Sequence, residues 1–122
     1  MIQTEAVIRY LDETPATDCP YGNVRRVVTG GLGGVANVHV VTVTAGNAHV
    51  HTGYDETDYV LAGTGTITLA GRSHALRPGA VVVIPRGTGH AIQADTGKAL
   101  EFVIFGTPAM GADDERFMPR KP

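Results

Sequence analysis

The sequence predicts an all-β domain, a closed antiparallel barrel or two-sheet jelly roll, on three observations. Helical periodicity is nearly absent. Sixteen glycines and seven prolines cut the 122 residues into short pieces. Those pieces are rich in Val, Ile, Thr and Tyr, the residues that suit a pleated, half-buried surface. Short strands at regular spacing, with no helices between them, close into a barrel or stack as two sheets.

Taken in order, the expected strands begin with EAVIRY (5–10) and NVRRVVT (23–29), separated by a stretch holding Pro15, Pro20 and Gly22. TGGLGG breaks the chain before VANVHVVTVT (35–44), and TAGN breaks it again before NAHVH (47–51). After TGYDE come TDYVLAG (57–63) and GTITLA (65–70). A tight hairpin around Gly71 leads into RSHALR (72–77). RPG precedes AVVVIP (80–85), PRGTG precedes HAIQA (90–94), and ALEFVIFG (99–106) is the last expected strand. In that strand Phe102 and Ile104 alternate with Val103 and Phe105, so one pair faces inward; the spacing leaves open which. The closing GADDERFMPRKP is charged and reads as a tail, with ADDERF able to form one helical turn.

Composition excludes several functions. Hydrophobic residues at 43% and charged residues at 18% describe a globular chain, not a disordered one. A net charge of −2 and a pI near 6.2 offer no basic face for nucleic acid or acidic lipid. No apolar run approaches the roughly 20 residues that span a bilayer. The start lacks a cationic region followed by an apolar one, and the lone Cys19 has no internal disulfide partner. A cytoplasmic protein without nucleic-acid or membrane partners is expected.

Two segments carry chemistry. His49 and His51 are two of only five histidines, and alternate residues of a strand share a face. Their imidazoles can converge on one ion, although H-x-H also occurs on exposed strands. Asp55 and Glu56 follow across a short turn, and either acid can supply a carboxylate from the next strand. GAVVVIPRGTGH then ends a buried-looking strand at Pro85, turns through Gly87 and Gly89, and delivers His90.

These segments resemble the two motifs of the cupins, here a single-domain member. His49, His51, Glu56 and Gly63 match the first motif, and Gly79, Pro85, Gly87 and His90 match the second. Two positions depart from the pattern. Ala94 stands where the second motif ends in Asn, and Val43 where a glycine usually precedes the first histidine. The resemblance runs from about Val35 to Phe105. It implies an antiparallel jelly-roll β-barrel over 31–108, flanked by an N-terminal strand segment (1–30) in the barrel or at a dimer contact, and by a tail (109–122). It further implies that His49, His51, Glu56 and His90 hold one divalent transition metal at one end of the barrel.

Three imidazoles and a carboxylate suit Fe, Mn, Ni, Co, Cu or Zn rather than Ca. Up to two octahedral positions stay open, and a residual positive charge favours an anionic small molecule. Neutral imidazole is the ligating form, so affinity should weaken as pH falls through about 6.5.

Asp58, two residues past Glu56, is expected either on the metal's side, as a partner of its ligands or a general base, or turned outward by a bend. Tyr54 is a candidate at the cavity edge, and His39 either packs structurally or lines the cavity. These three are the candidate catalytic groups. Arg25 and Arg26 point oppositely on a strand; surface ion pairing is the simpler role, and contact with a substrate carboxylate the alternative. His74 and Cys19 read as a surface and a packing residue.

Cupins host unrelated activities. The ligand set favours a metal-dependent small-molecule enzyme, a dioxygenase, decarboxylase, lyase or isomerase. A metal-loaded module that binds or senses a small molecule is the alternative, and a storage role fits a single small domain poorly. A small barrel with open sheet edges is also expected to pair as a homodimer.

Overall fold

The computed structural model describes residues 5–19, 21–32, 34–44, 47–109 and 115–117, with backbone only for 47–52 and 115–117. Among the described residues eleven strands form two antiparallel sheets. β1 (Ala16–Cys19), β2 (Gly22–Val28), β3 (Asn37–Val43), β10 (Leu100–Thr107), β5 (Asp55–Ala62) and β8 (Val81–Ile84) lie side by side in that order. The second sheet runs β11 (Glu115–Phe117), β4 (Asn47–Thr52), β9 (His90–Ala94), β6 (Gly65–Leu69) and β7 (Arg72–Leu76). This is the expected jelly roll. No helix among the described residues is long and apolar enough to cross a membrane.

Both chain ends depart from the sequence reading. EAVIRY is not a strand: residues 5–10 are exposed and unpaired with either sheet, and a short 3-10 helix follows at Leu11–Glu13. The partner of β2 is instead the polar Ala16–Cys19, in register Ala16↔Arg25 to Cys19↔Gly22. Of ADDERF, which could have formed a helical turn, the described residues Glu115–Phe117 are a strand paired antiparallel to β4, and 112–114 lie outside the described residues. One physical reason covers both errors. Edge strands are held by main-chain hydrogen bonds, so they need no apolar alternation that a sequence would show.

Register arranges the inner wall of the larger sheet in four rows. Gly22, Val43 and Leu100 form the first, and Val24, Val41, Phe102 and Val60 the second. Arg26, His39, Ile104, Asp58 and Val82 form the third. Asn37, Gly106, Glu56 and Ile84 form the fourth. Leu100, Phe102 and Ile104 are thus the inward set of β10, and Phe105 is exposed outside. Ile67, Leu76 and Ile92 of the second sheet join these residues in one hydrophobic core. The barrel is therefore apolar through its first two rows and polar at the other end. Polar groups this deep need partners, because burying them without compensation costs several kcal/mol. The polar end is the place to look for a ligand.

Candidate metal centre

Glu56 and Asp58 lie two apart on β5, so the pleat sends both carboxylates inward, and each residue is only 2% exposed. His90 opens β9 in the facing sheet and is 3% exposed. One donor atom from each of the three lies within 4.8 Å of the other two. His90 Nε2 is 3.6 Å from Glu56 Oε2.

The turn before His90 sets its ring. Thr88 N–H donates to Pro85 O at 3.1 Å, and Gly87 takes φ 79°, a conformation that a side chain would strain. His90 Nδ1 is 3.2 Å from the Thr88 carbonyl. A carbonyl only accepts, so Nδ1 carries the hydrogen, and in neutral imidazole this leaves the Nε2 lone pair facing Glu56.

Asp55 lies outside this group. It is exposed and pairs with Arg86, whose backbone N–H donates to Oδ1 at 3.0 Å and whose Nε and Nη2 donate to the two carboxylate oxygens at 3.2 Å. This clamp ties the turn that delivers His90 to the start of the strand that delivers Glu56. Hydrogen bonds from the Arg86 side chain, and then from its backbone, hold the Asp55 carboxyl below the usual carboxylate range, and Asp55 in turn raises Arg86. The pair's contribution is present above the free carboxyl pKa and is lost as acid protonates Asp55 through its lowered value. Solvent screening keeps that contribution small.

Glu56 decides whether a cation fits. Both of its carboxylate oxygens are buried and have no hydrogen-bond partner among the described residues. An ionised carboxylate in that state is costly unless a cation or proton compensates it. Two donors held about 2.0–2.2 Å from one ion lie about 3–4.3 Å apart, which includes the Glu56–His90 spacing. The Glu56 carboxylate and the His90 imidazole are hard-to-borderline donors, the chemistry of a divalent transition ion, with Asp58 within reach beside them. The described residues fit a metal.

The other expected residues distribute as follows. His49 and His51 lie on β4 beside β9, in register His49↔Ala91 and Val50↔His90; their side chains fall outside the described residues. His39 is 1% exposed on the row of Asp58, with Ile104 between them. Tyr54 is buried in the core rather than at an open cavity edge. A Cβ on Gly106 would collide with its ring, so a glycine is required there, and the ring covers the inner wall next to Glu56 in the fourth row. His74 is exposed on β7, and Cys19 packs half-buried against the core.

The sequence did not single out Asn37, and it left open which of Arg25 and Arg26 faces inward. Asn37 is buried on the row of Glu56. Its signal was legible, since Asn37 and His39 alternate in phase with the inward Val41 and Val43. Arg25 does face outward, donating to the Leu11 carbonyl at 2.8 Å, whereas Arg26 lies on the inner wall, its buried Nε without a hydrogen-bond partner among the described residues.

Comparison with known proteins agrees with this architecture. A family profile described as "Cupin domain" matches residues 37–106, and the chain belongs to that family. A protein from Planctomyces limnophilus of known crystal structure is 30% identical, covering 94% of this chain and 99% of that one, with a TM-score of 0.78. Ectoine synthase from P. lautus is 18% identical, covering 96% and 93%, with a TM-score of 0.76. Bacillus subtilis oxalate decarboxylase, studied for its Mn(II) centres, is 19% identical with a TM-score of 0.72; the match covers 88% of this chain and 31% of that one. At such identity the last two share the fold. No curated protein matches the chain.

Proposed function

We propose that this cupin is a metal-dependent enzyme acting on a small molecule at the polar end of its barrel. The observation that carries the reading is the buried Glu56 carboxylate, without a hydrogen bond on either oxygen among the described residues, facing His90 Nε2. Glu56 and His90 hold the metal together with His49 and His51, whose strand runs beside that of His90. The bound ion, a divalent Fe, Mn, Ni, Co, Cu or Zn, supplies Lewis acidity and, if it is iron, redox chemistry.

The chain's own residues do the rest. Asp58 lies within 4.8 Å of the Glu56 and His90 donors and serves as the base that takes a proton from the substrate. His39, on the same row, is the next proton acceptor in reach of the cavity. Tyr54 covers the end of the wall beside Glu56. Val60, Phe102 and Ile104 exclude water, which strengthens each electrostatic contact inside.

Metal analysis of anaerobically purified protein, followed by oxygen-uptake and turnover screens against small acids, phenols and thiols, tests the reading. Metal with substrate-dependent turnover is expected, and Asp58→Asn should keep the metal while losing roughly 100-fold or more in rate. Metal-dependent binding without turnover of any compound would favour a sensing module. Protein that takes up no transition metal would end both.

We also propose a homodimer. The N-terminal strands pair within their own sheet, so the reason lies elsewhere: Tyr59, Leu61, Val81, Val83 and Phe105 leave the outer face of β5, β8 and β10 apolar and exposed. Light scattering should report two copies at micromolar concentration, and a monomer would reject the pairing.

A further inference from the structure

Arg26 is half-buried, and it turns a guanidinium toward the inner wall of the barrel. It follows Val24 by two on β2, and Val24 is core, so Arg26 shares the inward face. Its register partner is the buried His39, and the same row continues through Ile104 to Asp58. A register shift between Arg26 and Val28 places a bulge immediately after it, a device that re-aims a side chain. Arg26 Nε is buried and has no hydrogen-bond partner among the described residues. A guanidinium donor left unsatisfied on an inner wall needs an acceptor, and arginine's planar fork matches a carboxylate.

Distance says what that acceptor is. Neighbouring strands lie about 4.8 Å apart, so three steps across the sheet separate Arg26 from Asp58 by about 14 Å of backbone. The arginine side chain covers about half of that span, so Arg26 does not reach Asp58 itself, and a molecule touching both would have to bridge the remainder. Charge agrees. A divalent ion and Arg26 outweigh the carboxylates of Glu56 and Asp58 by one positive charge, so a ligand with one negative charge balances the cavity.

We propose that Arg26 anchors a carboxylate, and that the molecule bound in this barrel is a small organic acid with its acid group on Arg26 and its reacting end at the Glu56–His90 site. This rests on the proposed metal site for the position of the reacting end, but the anchor itself does not need the metal.

Isothermal calorimetry on the full chain, metal-loaded and metal-free, tests it. The probes are acetate, pyruvate, malonate, succinate and benzoate, with malonamide as the neutral control. At least one acid should bind the wild type and malonamide should not. Arg26→Gln should weaken that acid by about 10-fold or more, the cost of a charged hydrogen bond, with unchanged metal content and melting temperature. Arg26→Lys should recover part of the loss, because it restores the charge without the fork.

Equal affinity in Arg26→Gln, or no binding by any of the acids, would overturn the anchor. Acid binding that requires metal but ignores Arg26 would refute the anchor and leave the metal site standing. Binding that requires Arg26 in protein unable to hold metal would do the reverse.

Discussion

Glu56→Gln binds a divalent transition metal at least about 100-fold more weakly than wild type, since even partners beyond the ligands themselves cost 10–100-fold when lost. The substitution keeps shape and removes only charge, so it isolates the electrostatic role of a carboxylate that is 2% exposed. His90→Ala should lose the metal as well. Asp55→Asn should keep it, because Asp55 is exposed and spends its oxygens on Arg86.

Stability should change sign with the metal. In metal-free protein Glu56 and Asp58 are two buried acids close together, so Glu56→Gln removes a like-charge repulsion and melts no lower than wild type. With metal present at 100 times its dissociation constant, wild type gains about 2.7 kcal/mol that the variant does not. Melting curves of both proteins, with metal and with chelator, should therefore place wild type above the variant only when metal is present. Full metal occupancy in both Glu56→Gln and His90→Ala would remove the metal centre from this end of the barrel.

Phe102→Ala costs about 3–5 kcal/mol, the range for deleting a buried aromatic side chain. Phe102 is 3% exposed in the second row of the inner wall, between Val41 and Val60, and opposite the core residues of the other sheet. It separates the polar rows from the apolar end. For a domain this size the loss corresponds to a fall in melting temperature of roughly 10–20 °C. Thermal or urea denaturation of the chelated protein checks it, and a loss under about 1 kcal/mol would show that the barrel collapses around the cavity. The same variant should hold its metal at low temperature, because no described metal donor touches the deleted ring's row.

Much of this protein was legible before any tertiary information. Nine of the strands lie where alternation and glycine or proline breaks put them, because a strand with one face in the core must write a period of two into its sequence. Motif spacing carried Glu56 and His90 to the same place, since the pleat and the Gly87 turn are local geometry. Motif register favoured Glu56 over Asp55, and the tertiary structure added that Glu56 is buried beside His90 while Asp55 is exposed. The two are neighbours of equal chemistry, and the pairing of Asp55 with Arg86 outside the barrel sets them apart in space. It alone supplied the edge strands Ala16–Cys19 and Glu115–Phe117, which are held by backbone ladders that no side-chain pattern records. It alone turned Phe102 inward and Phe105 outward, and Arg26 toward His39 and Arg25 toward Leu11. Alternation in a sequence defines two faces of a strand, and the sheet packed against one of them decides which is inside.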